Sequence, residues 1–226
     1  MPVIEARQVG HEYGERTVLS GVDLVLREQR IGIVGANGSG KSTFARTLNG
    51  LVLPTSGRVL VDGLDTRTQG REVRRRVGFC FTDPDAQIVM PTVAEDVAFG
   101  LRRRGLSKAE VGERVERTLV SFGLLGHADH PAHLLSGGQK QLLALASVLV
   151  VEPDVLVMDE PTTLLDLRNA QHTAAVVGGL AQQVVLVTHH LDLLEGFDRV
   201  LVFDEGRVVC DDLPADAVRY YRKLMS

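Results

Sequence analysis

The chain has 226 residues, of which 44% are hydrophobic and 24% charged, with a formal net charge of −4. This is the balance of one soluble globular domain with a sizeable core, not of a disordered chain, and the slight acidic excess gives no basis for a nucleic-acid partner. No apolar run approaches the ~20 residues of a membrane-spanning helix, and the opening MPVIEARQVGHEYG lacks the apolar stretch of a signal peptide. Any role at a membrane therefore needs other subunits to supply the membrane. Cys80 and Cys210 are far apart and form no CxxC pair, so they read as two reduced, buried thiols of a cytosolic protein.

Short Val-, Ile- and Leu-rich runs bounded by Gly, Asp or Arg predict strands at Val22–Leu26, Ile31–Val34, Val59–Val61, Val77–Phe81, Val155–Met158, Val184–Val187 and Val200–Phe203. Several are apolar on both faces, as in a sheet covered by helices. A helical pattern follows the second run as far as Leu48. Lys108–Phe122 places Val111, Val115, Leu119 and Phe122 on one face among charges. Gln139–Val151 is more apolar, and Leu167–Leu180 and Pro214–Leu224 complete the helices. Between about Thr82 and about Pro153 there are helical segments and no convincing strand, which predicts a helical insertion, roughly 82–153, within a single α/β domain spanning 1–226. The basic clusters Arg74–Arg76 and Arg102–Arg104 read as solvated faces.

The run Ile31–Val34 leads into Gly35-Ala36-Asn37-Gly38-Ser39-Gly40-Lys41-Ser42-Thr43, which is GxxxxGK[ST] between a predicted strand and a predicted helix. Glycines let the backbone curl so that successive N–H groups point at an anion, and the helix start adds its positive end. Lys41 is placed to reach the β- and γ-phosphates of a nucleotide, Ser42 to ligate Mg²⁺, and Thr43 to contact the α-phosphate.

Val155-Leu156-Val157-Met158-Asp159-Glu160 is a buried-type strand that ends in two carboxylates. Asp159 suits Mg²⁺ held through its water shell, and Glu160 suits a group that polarises an attacking water. Thr188-His189 follows the strand Val184–Val187, where a polar side chain can reach a γ-phosphate; position after the strand selects His189 over His190. Leu135-Ser136-Gly137-Gly138-Gln139 opens an apolar helix with small residues and exposed N–H groups, a second anion site almost a hundred residues from the first.

In this order the chain resembles the ATP-binding subunits of ABC transporters over essentially its whole length. Gly35–Thr43 stands as Walker A, Leu135–Gln139 as the signature, Val155–Glu160 as Walker B, Thr163–Asp166 as the D-loop, and His189 as the switch histidine. The resemblance implies a P-loop NTPase (RecA-like) α/β core with an antiparallel β subdomain and an inserted α-helical subdomain. It implies ATP hydrolysis with Mg²⁺, Tyr13 stacked on adenine, and a head-to-tail dimer with an identical or paralogous chain. In that dimer Ser136, Gly137, Gly138 and Gln139 of one subunit cap the nucleotide of the other, with Asp166 of the D-loop beside them. The stretch Val77–Ile88 and the following Pro91–Gly100 resemble the energy-coupling factor importers, which take up vitamins and transition-metal ions, and within these the biotin members; cobalt or nickel uptake is the alternative. Such a protein sits on the cytoplasmic membrane face, with a transmembrane coupling subunit and a substrate-binding membrane subunit as partners. Thr82 and Gln87 then lie where the chain would meet the coupling subunit.

The chain departs from the family pattern at three places. Thr82 stands where the Q-loop glutamine is usual, Leu164 where the D-loop has a small residue, and Leu142 where a basic residue commonly follows the signature. His127, His130 and His133 are spaced by three, but Pro131 interrupts them and only Asp129 joins them, so they read as a loop surface rather than a metal site. A DNA-maintenance ATPase needs a long coiled-coil insertion that this chain lacks, and Glu160, His189 and the signature speak against a non-catalytic nucleotide sensor.

Overall fold

Residues 1–102 and 104–226 are described by a computed structural model. Arg103, in the basic cluster Arg102–Arg104, lies outside the described residues. The chain divides into two compact units, the first comprising residues 1–79, 154–160 and 181–226, the second residues 80–153 and 161–180.

In the first unit, β1 (Ile4–Tyr13), β2 (Arg16–Leu26), β4 (Ser56–Val61) and β5 (Leu64–Asp65) form an antiparallel sheet in the order β2-β1-β4-β5. The second sheet takes β3 (Arg30–Gly35), β6 (Val77–Cys80), β7 (Val155–Asp159), β8 (Gln183–Val187), β9 (Arg199–Asp204) and β10 (Arg207–Asp212), in the order β10-β9-β3-β8-β7-β6. The strands β9, β3, β8 and β7 run parallel, and every residue of β3, β7 and β8 is buried, as their two-faced apolar pattern requires. Because these strands are parallel and adjacent, their carboxyl ends share one edge of the sheet. The turn after β3 and the residues after β7 and β8 emerge there, where ligands bind in open α/β sheets. Three helices belong to this unit: α1 (Lys41–Thr47), α2 (Gly70–Arg76) and α7 (Pro214–Leu224). Three strands, β1, β5 and β10, have no counterpart among the predicted runs, and β2 begins six residues before the predicted one.

The second unit is helical, with α3 (Val93–Phe99), α4 (Lys108–Ser121), α5 (Gly137–Leu149) and α6 (Leu167–Gly178). Capping boxes start three of them, pairing Thr92 with Glu95, Ser107 with Glu110 and Ser136 with Gln139, so in each the N–H groups of the cap residue and of the third helical residue are satisfied. On α4, Val115 and Leu119 turn inward as the periodicity predicts. One face of α5 is tied to the preceding segment by four polar contacts. Lys140 Nζ pairs with Asp85 at 2.7 Å, Gln141 Nε2 approaches Cys80 Sγ at 3.3 Å, the Ala144 carbonyl accepts from Gln87 at 2.9 Å, and the Ser147 hydroxyl donates to Asp96 at 2.8 Å. Asp96, 3% exposed, also accepts from the Val89 and Met90 N–H groups.

The expectation of two buried thiols holds only for Cys80. Cys210 lies half-buried on β10, an edge strand whose outward residues meet solvent. Among the described residues no helix is long and apolar enough to cross a membrane.

Candidate active site

The loop after β3 curls tightly. Ser39 N–H donates to the Ala36 carbonyl, and Gly206 N–H, from the β9–β10 turn, donates to the Ser39 carbonyl at 3.0 Å. Gly40 has φ +98°, and a Cβ there would stand 2.6 Å from the Val18 carbonyl oxygen, so both conformation and space demand glycine. Inside the loop, Lys41 is 5% exposed, and its ammonium donates to the Gly35 and Ala36 carbonyls at 2.7 and 2.9 Å. Burial pushes the Lys41 pKa down from the usual lysine value, and Glu160 and Asp159 pull it back up. The Ser39 hydroxyl is buried without a partner among the described residues. Asn37 and Gly38 are exposed at the loop tip, and Ser42 and Thr43 are half-buried in the first turn of α1.

Asp159 ends β7 at 1% exposure. A carboxylate so buried is costly unless paired. The Ser42 hydroxyl donates to its Oδ1 at 2.7 Å, and Arg46 Nη2 approaches its Oδ2 at 3.2 Å. Ser42 and Arg46 are four residues apart on α1 and so lie on one face of it. Arg46 was not among the expected site residues; its spacing from Ser42 was the available signal. The hydroxyl and carboxylate are hard oxygen donors converging at the loop, a set that fits Mg²⁺.

Glu160 follows directly, with φ +54°, a left-handed conformation unusual for a side chain of this size. Its N–H donates to the Val187 carbonyl, and Thr188 N–H donates to the Ile33 carbonyl, so the parallel ladder continues past the strand ends. This sets His189 next to Glu160, and the His189 Nδ1–H donates to Glu160 Oε2. His190 instead turns its backbone N–H to the Thr188 hydroxyl at 3.0 Å. Lys41, Ser42, Asp159, Glu160 and His189 are thus brought together in the first unit. Tyr13 lies at the end of β1, 53% exposed, with its ring edge-on to the buried His11 at 4.5 Å between centroids. Both ring nitrogens of His11 lack a partner among the described residues.

The other expected site residues lie in the second unit. Ser136 caps α5, and Ser136 and Gly137 are exposed while Gly138 is buried. Gln139 accepts from the Ser136 N–H through Oε1 at 2.9 Å, and its Nε2 donates to His127 Nε2 at 3.0 Å. His127 and His130 meet through their Nδ1 atoms at 2.8 Å, and no cluster of three or more His, Cys, Asp or Glu side chains that could hold a metal ion occurs among the described residues. The Gly138 Cα packs against Asn169, whose Oδ1 would stand 2.3 Å from a Cβ at position 138. Asp166 caps α6 by accepting from the Asn169 N–H at 2.8 Å, and Leu164 and Leu167 flank it at 63% and 76% exposure. Leu142 is buried on α5, where a charge would have no water.

Thr82 is half-buried, two residues past β6. Gln87 is committed at both ends of its amide, accepting from the Phe81 N–H at 3.1 Å and donating to the Ala144 carbonyl at 2.9 Å. Beside it a cleft of about 340 Å³ is lined by Ile88, Val89, Met90, Pro91 and Ala132 together with Asp85 and His133.

Residues 19–163 match the family model described as ABC transporter. A putative ABC transporter ATP-binding protein of Deinococcus radiodurans is 57% identical over 99% of both chains. The biotin transport ATP-binding protein BioM of Rhizobium etli is 48% identical over 98% of both, and the energy-coupling factor transporter ATP-binding protein EcfA1 of Symbiobacterium thermophilum is 45% identical over 98% of this chain and 85% of its own. Among solved structures, CbiO1 of Clostridium perfringens, part of the ABC transporter complex CbiONQ, superposes with a TM-score of 0.85 at 32% identity, covering 98% of this chain and 93% of that one. The dimeric post-hydrolysis ATP-binding cassette MJ0796, bound to ADP and Pi, gives 0.82 at 27% identity over 93% and 98%. The chain belongs to the ABC transporter family. It has the ABC ATPase fold expected from the sequence, and it is an ATPase of that family.

Proposed function

We propose that this chain is the ATP-hydrolysing subunit of an energy-coupling factor importer and that the imported substrate is biotin. The observation that carries the catalytic part is the junction of Glu160 with His189 beside Lys41 and the Ser42–Asp159 pair. The biotin assignment follows the Rhizobium etli relative and its near-complete overlap with this chain.

In this reading the loop backbone and Lys41 bind the β- and γ-phosphates, and Lys41 exchanges its two carbonyl partners for phosphate oxygens. The buried Ser39 hydroxyl gains a phosphate partner. Ser42 and Asp159 hold Mg²⁺, which when bound neutralises phosphate charge. Glu160 accepts a proton-bearing contact from the attacking water, and His189 orients the Glu160 carboxylate through its Nδ1–H. Tyr13 stacks on the adenine, and His11 backs its ring. A second copy of the chain presents Ser136 and Gly137 to the γ-phosphate. Gly137 suits that role because it is exposed with nothing within 4 Å of its Cβ position.

The cleft at Ile88–Pro91, apolar at its centre with Asp85 and His133 in its lining, receives a helix of the membrane coupling subunit at the cytoplasmic face. Thr82 lies at the start of this segment, and Gln87, whose amide fixes the loop shape, lies with it where the coupling subunit docks. The test is to isolate the chain with its membrane partners, reconstitute them in vesicles, and measure ATP-dependent uptake of biotin, Co²⁺ and Ni²⁺ side by side. Biotin accumulation supports the proposal. Metal uptake without biotin replaces the substrate, and an assembly without ATP hydrolysis overturns the reading.

A further inference from the structure

Tyr13 and Arg16 face each other across the hairpin between β1 and β2, joined only by Gly14 and Glu15. The turn that presents an aromatic ring to solvent therefore presents a guanidinium beside it. Arg16 is exposed, and no hydrogen bond or ion pair among the described residues engages its side chain. Yet it does not point at random into solvent. Its Nη2 lies 3.6 Å from where a Cβ on Gly38 would stand, so the guanidinium rests over the tip of the phosphate loop. Gly38 has φ +82° and is exposed, the point at which the loop is most open.

Lys41 and Arg16 are differently placed. Lys41 lies inside the loop, folded onto carbonyls. Arg16 lies outside it, with its donors uncommitted among the described residues. A guanidinium is a planar fork of five donors with no acceptor and a fixed positive charge, matched to two oxygens of one phosphate. Placed over a loop that curls its N–H groups inward, it completes the ring of positive charge on the side the backbone leaves open.

We propose that Arg16 is a nucleotide-binding residue that grips the phosphate chain from outside while the loop cradles it from within. This rests on the ATP-site reading given above. One hairpin then delivers both contacts, Tyr13 to the base and Arg16 to the phosphates, and sets their separation through the register of a single strand pair.

The experiment is competition binding of ATP, ADP and adenosine to the full chain, for the wild type, Arg16→Ala and Arg16→Lys, at two salt concentrations. Arg16→Ala is expected to weaken ATP and ADP about tenfold, as loss of a charge-assisted contact does, to flatten the salt dependence, and to leave adenosine unchanged; Arg16→Lys recovers part of the loss. Unchanged ATP and ADP affinity in Arg16→Ala overturns the assignment. Equal losses for adenosine also overturn it, since the contact would then be to the base or ribose. A wild-type chain that binds none of the three would instead remove the ATP-site reading on which the proposal rests.

Discussion

His189 and Glu160 are joined directly, ring Nδ1 to carboxylate Oε2, across the ends of the adjacent parallel strands β7 and β8. The contact fixes the rotamer of the carboxylate without involving the phosphate loop. His189→Ala is therefore expected to lower kcat roughly a hundredfold, in the range of a lost acid–base orientation, while ATP affinity stays within a factor of about two. Phosphate release and equilibrium binding on the same preparation check this, and an unchanged kcat would remove His189 from the reaction.

Glu160→Gln keeps the side-chain volume and removes the charge. The variant is expected to bind ATP as the wild type does, to hydrolyse it at least about a hundredfold more slowly, and to elute as a dimer in ATP. Size-exclusion chromatography with and without ATP reads the second effect. Normal turnover in this variant would show that another group activates the water.

Adjacent glycines of the signature should separate structure from function. Gly138→Ala drives a methyl group into Asn169 and is expected to cost about 1–3 kcal/mol through overpacking. Gly137→Ala meets open space and is expected to leave the melting temperature unchanged or slightly raised, because alanine favours a helix by up to ~1 kcal/mol over glycine. If Gly137 faces a partner's nucleotide, the same substitution lowers ATPase activity. Thermal melts beside turnover numbers decide it; full activity in Gly137→Ala places the partner's nucleotide elsewhere.

Arg46 balances a carboxylate that is otherwise out of water. Arg46→Ala is expected to destabilise the nucleotide-free chain by about 1–3 kcal/mol, the cost of a buried group left with too few partners. ATP with Mg²⁺ should restore more of that stability than ATP with EDTA, since the ion supplies the missing positive charge at Asp159. Calorimetric melts in the three conditions test this, and equal restoration with and without Mg²⁺ would separate Asp159 from the metal.

The two thiols should differ in reactivity. Burial pushes the Cys80 thiol up to about 12, so almost no thiolate forms near neutrality. Cys210 is also raised, by partial burial and its acidic neighbours, but remains reachable from solvent. Alkylation of the native chain at pH 8 is expected to mark Cys210 slowly and Cys80 not at all, with both marked after denaturation. Peptide mapping distinguishes the sites.

What the sequence disclosed follows from how local each feature is. The strands β3, β7 and β8 are buried on both faces, so they appear as unbroken apolar runs. Strand β1 was hidden because its residues Ile4–Tyr13 mix charge and glycine, and Gln8, at φ +50°, breaks the alternation where the pairing shifts. Strand β10, RVVCDD, is an edge strand with no buried residue and two acids at its end, so it lacks the two-faced apolar run. Within the site, the loop and the carboxylate pair are contiguous motifs and could be read. The links from Arg46 to Asp159 and from Gln87 to Ala144 span 113 and 57 residues, and the second ends on a backbone atom, which leaves no mark on residue identity.

Position 160 sets catalysis and thermostability against each other. A glutamate at φ +54° carries backbone strain of order 1–3 kcal/mol. Glycine or asparagine would adopt that conformation more readily, and either would discard the carboxylate. Selection of variants by melting temperature alone would drift toward an inert chain here, since proteins commonly gain stability where they relinquish activity. A stabilisation campaign on this ATPase should hold residue 160 constant and look for its gains in loops remote from the end of β7.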